Sequence, residues 1–173
     1  MADLDITKAN LLHNNIIVQE LSEHKVGSIY LPGDVTHGMQ AKVLNVADGP
    51  LCEHIYPGDI ALLKSGAFHE YLGGNLFIFS AVHVWGVLRG GKPFPVNEYV
   101  LVRVDAEEDD TDAETGIWTP TEARDFPETG WCEWEGKDWH VHYNVMGSQR
   151  RIKIAGQVYS FMGRDNLTGI VED

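Results

Sequence analysis

The stretch Tyr56-Pro57-Gly58-Asp59-Ile60-Ala61-Leu62-Leu63 joins a Pro-Gly-Asp turn directly to a short apolar strand. Proline and glycine favour a chain reversal, and a short apolar run after a turn is typical of a buried β-strand. The same unit recurs along the chain: a turn rich in Gly, Pro, Asn or Asp, then a run rich in Val, Ile, Leu, Phe, Tyr or Trp. No segment has the pattern of a long amphipathic helix. We therefore predict an all-β protein.

The order of these strands occurs twice. The first half contains, in order, Asn15-Ile16-Ile17-Val18, Ala41-Lys42-Val43-Leu44-Asn45-Val46, Ile60-Ala61-Leu62-Leu63, Leu76-Phe77-Ile78-Phe79-Ser80 and Trp85-Gly86-Val87-Leu88. The second half contains Tyr99-Val100-Leu101-Val102, Trp131-Cys132-Glu133-Trp134, Trp139-His140-Val141-His142-Tyr143, Val158-Tyr159-Ser160-Phe161 and Gly169-Ile170-Val171-Glu172. A period of about 80 residues is too long for a solenoid unit and indicates two duplicated domains. We predict a polar N-terminal lead at residues 1–9, domain 1 at 10–90 and domain 2 at 91–173, with the boundary at Gly90-Gly91-Lys92-Pro93.

The net charge of −13 is unevenly distributed, with −4 in residues 1–90 and −9 in residues 91–173. Such a field repels phosphates and anionic lipids, so we expect neither nucleic acid nor a membrane as a partner. The sequence has no apolar run of the roughly 18–20 residues that a membrane span needs. The acidic start, with no apolar segment after it, predicts a protein that is not secreted.

Much of the acidic excess lies between Asp105 and Glu114, which contains seven carboxylates. Such a run of like charges is usually a solvated segment. A divalent cation is the alternative ligand for these oxygens, although the spacing is not that of an EF-hand.

Groups that carry catalysis or metal binding are sparse. Cys52 and Cys132 occupy different points of their repeats, which indicates two ordinary thiols and no disulfide framework. His140 and His142 fall on one face of a predicted strand, where they form either a polar face or a metal-chelating pair. His69-Glu70 lacks the cysteine ligands and nucleotide-binding glycines of the zinc dehydrogenases. No nucleophile elbow or phosphate-binding loop is present in the sequence. We predict no enzyme activity, no cofactor and no metal site.

Tryptophan is concentrated in the second repeat, which contains Trp118, Trp131, Trp134 and Trp139, whereas the first contains Trp85. Strand tryptophans usually pack in a core or at a subunit seam. The functional alternative is that Trp118, at a loop tip, anchors a protein interface.

The order of strands and loops resembles that of the GroES co-chaperonins. The segments that carry the resemblance are Leu12-His13-Asn14-Asn15-Ile16-Ile17-Val18, Gly27-Ser28-Ile29-Tyr30-Leu31-Pro32, Tyr56-Pro57-Gly58-Asp59-Ile60 and Gly169-Ile170-Val171-Glu172. The resemblance covers about 160 residues in two copies. It implies two tandem GroES-like β-barrel domains.

The resemblance also implies where partners bind. In the co-chaperonins an apolar tripeptide on a mobile loop docks into a groove of the chaperonin ring, which corresponds to Ile29, Tyr30 and Leu31. The second repeat has Ile117 and Trp118 at this place but lacks the third aliphatic residue, and its roof hairpin is missing. We predict that these five residues contact protein partners.

Two functions follow as expectations. The first is a structural component of a protein shell, such as a virus capsid decoration or stabilising protein. The second is a working co-chaperonin that caps a chaperonin ring. Both predict a non-enzymatic assembly protein in a virion or the cytoplasm, and a homo-oligomer or bound complex, since unpaired strand edges invite pairing.

Overall fold

The chain is described by a computed structural model that covers residues 5–21, 40–64, 66–67, 69–105, 129–147 and 149–172, together with the backbone of 25–26 and 29–30. Within these residues the regular structure consists of fifteen β-strands and four short 3-10 turns, with no α-helix. The prediction of an all-β protein is confirmed. The chain divides into two compact units, Met1–Val100 and Leu101–Asp173.

The first unit is built on a seven-stranded antiparallel sheet with the strand order β6-β7-β1-β4-β5-β8-β9. Its strands are β1 (Asn15–Glu20), β4 (Gln40–Val46), β5 (Ile60–Leu63), β6 (His69–Gly73), β7 (Leu76–Ser80), β8 (Val84–Arg89) and β9 (Lys92–Pro95). Two further strands, β2 (Lys25–Val26) and β3 (Ile29–Tyr30), pair only with each other in the described part of the chain.

The second sheet is antiparallel, has six strands and has the order β13-β14-β10-β11-β12-β15. Its strands are β10 (Tyr99–Val104), β11 (Thr129–Trp134), β12 (Lys137–Tyr143), β13 (Gln149–Ile154), β14 (Gln157–Gly163) and β15 (Leu167–Ile170).

Without its end strand β9, the first sheet has the same strand order as the second. Across each sheet lie the fourth, fifth, first, second, third and sixth of its own strands, counted along the chain. Each unit also has a 3-10 turn before its last matching strand, at Ala81–His83 and at Arg164–Asn166. A backbone hydrogen bond of 2.8 Å holds each turn, from Lys64 N to the His83 carbonyl and from Asn144 N to the Asn166 carbonyl. This repetition corresponds to the internal repeat in the sequence.

The predicted barrels are not closed. Among the described residues, the end strands of the two sheets (β6 and β9, β13 and β15) pair on one side only. Most residues of β6 and β15 are exposed. Burial of apolar surface therefore does not draw the two ends of either sheet together, which closure of a barrel requires.

The segment predicted as the domain boundary lies within the first sheet. Gly90 and Gly91 have φ angles of 57° and 75° and form the turn between β8 and β9. Glycine adopts this left-handed backbone without strain, which suits a tight hairpin. The division between the compact units falls after Val100, inside β10.

The core of the first unit is formed by its strands together with the connection between β4 and β5. Val43, Ala61 and Val87 from the strands are fully buried. Cys52 and Ile55 from the connection belong to the same cluster. This connection therefore covers one face of the sheet.

Candidate apolar binding site on the second sheet

The five predicted partner-binding residues lie largely outside the described chain. The backbone of Ile29 and Tyr30 forms β3, which pairs in antiparallel register with Lys25 and Val26 of β2. Leu31, Ile117 and Trp118 lie outside the described residues. The same applies to the acidic segment after Asp105, up to Glu114. Among the described residues, a group of exposed apolar side chains lies on the second sheet.

The sequence connects β11 to β12 by a very short turn. Glu135 and Gly136 have φ angles of 53° and 73°, as the favoured two-residue hairpin turns require. Because side chains alternate along a strand, Cys132 and Trp134 of β11 share a face with Trp139 and Val141 of β12. The short turn thus places two tryptophans on the same face at one end of the hairpin.

This face bounds an open pocket of about 430 Å³. Its apolar lining comes from three strands and consists of Cys132, Trp134, Trp139, Val141, Leu167 and Ile170. Cys132 and Val141 are buried at its base, whereas Trp134 (43%), Trp139 (38%) and Ile170 (56%) remain exposed at its rim. A concave apolar surface of this volume falls in the size range of ligand-binding sites. Large apolar side chains grouped on a surface mark an interaction site more often than isolated ones do.

The chemistry of the pocket is that of apolar contact. Burial raises the pKa of the Cys132 thiol, and the carboxylate of Glu133 adds to this effect. The thiol is therefore held in its neutral form, which is a poor nucleophile. At the rim, the Arg164 guanidinium lies 5.4 Å from the centre of the Trp134 ring, within the range of a cation–π contact.

The opposite face of the same hairpin carries a polar cluster. His140 Nε2 lies 2.7 Å from Asp105 Oδ2, and Thr129 Oγ1 donates a hydrogen bond of 2.6 Å to the same oxygen. The imidazole stacks on the Trp131 ring at 4.8 Å between centres. These contacts fix the end of β10 against β11 and β12. No third carboxylate or thiol joins them to make a metal site: in the described residues, no group of three or more His, Cys, Asp and Glu side chains is placed to hold a metal ion.

The cluster makes stability depend on pH. Burial alone would raise the pKa of Asp105, but hydrogen bonds from Thr129 and His140 outweigh it, so the pKa of Asp105 lies below its usual value. A carboxyl whose pKa is depressed on folding stabilises the protein above its unfolded-state pKa of about 4, and this contribution is lost as the pH falls through the lower folded-state pKa. We expect Asp105→Asn to be less stable than the original chain in urea at pH 7, with a smaller deficit at pH 2.5.

The exposed Asp138→Asn variant is the control for this measurement, and its stability should differ little from that of the original chain at either pH. A deficit for Asp105→Asn that is the same at both pH values would show that the cluster acts through shape alone.

The sequence left open whether the tryptophans pack in a core or are exposed at an interface, and the structure shows both buried and exposed ones. Trp85 is buried in the first unit, with its ring 4.7 Å from that of Tyr99. In contrast, Trp131, Trp134 and Trp139 are at least 38% exposed. Trp118, which the sequence offered as an interface anchor, lies outside the described residues, and the pocket was not predicted. The sequence feature that indicates the pocket is the short Glu135-Gly136 turn, which joins two strands that each contain tryptophan.

No known protein-family model matches the chain, and no curated protein matches it. Among the described residues, no helix has the length and apolar character needed to span a membrane.

Proposed function

We propose that this chain is a non-enzymatic assembly protein that binds other proteins through apolar surfaces. The observation that carries this proposal is the pocket of the second sheet, where Trp134, Trp139 and Ile170 are exposed around a buried apolar base. Tryptophan and tyrosine are enriched among the residues that contribute most to the binding energy of protein interfaces.

Within this class, we propose a structural component of a protein shell, such as a virus capsid decoration or stabilising protein, built from two GroES-like repeats. Three features support it. The two sheets repeat one strand order. The second copy has lost the long β4–β5 connection and carries most of the exposed tryptophans. The net charge of −13 suits a fixed position against basic or apolar surface and repels free nucleic acid.

The second candidate is a co-chaperonin that caps a chaperonin ring. The observation that favours it is the pairing of β2 with β3, which contains Ile29 and Tyr30 and which, among the described strands, pairs with none of the seven-stranded sheet. The resemblance to the co-chaperonins assigns the tripeptide Ile29-Tyr30-Leu31, which begins in β3, to docking in an apolar groove. Weak contacts of this type are multiplied by avidity in a ring.

The two candidates are distinguished by expressing tagged chains in their native host and identifying what co-purifies. For a shell protein, we expect a particle to co-purify, and Trp139→Ala to weaken its retention by about tenfold, because a rim tryptophan is a typical hot spot. Leu31→Ala should then have little effect.

A co-chaperonin would give the reverse pattern: a chaperonin ring would co-purify, Leu31→Ala would abolish the association, and Trp139→Ala would not. A chain that co-purifies with neither assembly, and whose two variants behave like the original, would contradict both candidates.

A further inference from the structure

The duplicated fold allows the pocket to be compared with the matching surface of the first unit. The pairs Lys42 with Ile60 and Trp131 with His140 occupy the same place in the two sheets. The pairing of β5 with β8 corresponds in the same way to the pairing of β12 with β15. Together, these registers identify the residues of the first unit that match the pocket lining. Cys132, Val141, Leu167 and Ile170 correspond to Val43, Ala61, Val84 and Val87, respectively.

In the first unit this surface is covered. Val43, Ala61, Val84 and Val87 are all fully buried, and they belong to one cluster with Ala47, Cys52 and Ile55 of the β4–β5 connection. The 3-10 turn Pro50–Cys52 shapes the connection, and hydrogen bonds from Leu51 N to Asn14 Oδ1 (2.9 Å) and from Ile55 N to the Cys52 carbonyl (3.0 Å) hold it. In the first unit, Ala47, Cys52 and Ile55 of the β4–β5 connection therefore act as an apolar plug over this surface.

The second unit has the same surface without the plug. Its connection is reduced to the turn at Glu135 and Gly136, and the space above the sheet is the pocket. The contrast is largest at the last strand, where Val87 is fully buried but the matching Ile170 is 56% exposed. Strand β8 is also flanked by β9, whereas β15 has no outer neighbour among the described strands. The exposed apolar area is thus what remains when a covering segment is removed.

The charge of the protein restricts which kind of partner can occupy the pocket of the second unit. Glu135 is the charged residue of the lining. Glu133 and Asp138 lie on the opposite face of the hairpin, and Arg164 is held against Trp134 at the rim. The whole chain carries a net charge of −13. An occupant with basic residues beside its apolar ones is favoured by this field, whereas a second copy of this acidic chain is repelled by it.

We propose that the pocket binds a short apolar turn of a partner protein, with two aliphatic residues three or four positions apart and Lys or Arg on its flanks. This inference rests on the proposed function and names the chemistry of the partner. The two aliphatic residues take the place that Leu51 and Ile55 occupy in the first unit. The basic flanks lie beside Glu135, the charged residue of the lining.

The test uses the full chain and a peptide with the sequence of residues 47–56, with Asp48→Lys and Glu53→Lys to supply basic flanks and Cys52→Ala to prevent disulfide formation. The peptide contains no tryptophan, so the fluorescence of the chain's own Trp134 and Trp139 reports binding. We expect saturable binding that is about tenfold or more tighter than that of the same peptide with Leu51→Ser and Ile55→Ser. The peptide that keeps Asp48 and Glu53 should bind more weakly, and this difference should shrink in high salt.

Two chain variants locate the site. Ile170→Asp places a charge at the exposed rim of the pocket and should weaken peptide binding by about tenfold or more. The matched control is Tyr71→Asp, at a similarly exposed apolar position (61%) on an end strand of the first sheet. It should bind the peptide as the original chain does. Circular dichroism of both variants establishes that they are folded.

Three outcomes would overturn the inference. The first is equal binding of the Lys-flanked peptide and its serine control. The second is unchanged peptide binding by Ile170→Asp. The third is concentration-dependent dimerisation of the original chain in sedimentation that Ile170→Asp abolishes, since a second copy would then fill the pocket. The proposed function is tested separately by co-purification, so loss of peptide binding with retention on a particle would contradict this inference alone.

Discussion

Phe79→Ala is expected to lower the free energy of unfolding by about 3–5 kcal/mol. Phe79 is 2% exposed and belongs to the main hydrophobic cluster. Its ring stacks on that of His69 at 5.0 Å, so truncation removes this contact and leaves a cavity. Urea denaturation followed by circular dichroism measures the change.

A loss of this size can approach the total stability of a small domain, so Phe79→Leu provides a second measurement. It should cost less because most of the volume is kept. Phe94→Ala is the matched control, since Phe94 is 40% exposed, and its cost should be about 1 kcal/mol or less. Equal losses for Phe79→Ala and Phe94→Ala would contradict the core that the structure assigns.

Arg89→Ala is expected to lower the free energy of unfolding by about 2–4 kcal/mol. Asp59 is only 3% exposed, and its carboxylate accepts two hydrogen bonds from Arg89, at 2.8 Å from Nε and 2.7 Å from Nη2. Removal of the guanidinium leaves this buried charge with the hydrogen bond from Tyr56 N. The estimate lies below that for a fully buried pair because the Arg89 side chain is 40% exposed.

The Asp59→Asn variant and the double variant complete a cycle that isolates the energy of the pair. Arg164→Ala is the control, because Arg164 is exposed and stacks on Trp134 at the surface. It should change the stability by well under 1 kcal/mol. A cycle with no coupling between residues 59 and 89 would show that the pair contributes nothing beyond its separate side chains.

The strand pattern and its repetition were readable from the sequence because both depend on local physics. Short runs of Val, Ile, Leu and aromatic residues between Gly, Pro and Asp turns specify strands whatever surrounds them. The turn at Gly58 and Asp59 was identified in this way, and the structure adds the reason for the aspartate: its carboxylate holds Arg89 of β8. This partner is thirty positions away, and no local pattern names it.

The sequence did not show where each sheet ends or which apolar surface stays uncovered. Gly90 and Gly91 were predicted as part of a domain boundary, and only the pairing of β9 with β8 shows that they form a hairpin turn. Among the described strands, neither sheet closes into a barrel, because its end strands pair on one side only, and which strands pair depends on the whole set of neighbours.

By itself, the sequence determined the strands, the turns, their duplication and the acidic field, because each is set by residues adjacent in the chain. The tertiary structure alone decided that Cys132, Trp139 and Ile170 meet at one pocket, since they come from three strands. It also decided that this pocket is open while its counterpart in the first unit is filled. Burial is a property of the space around a side chain, and that space is set by whether a distant connection covers it.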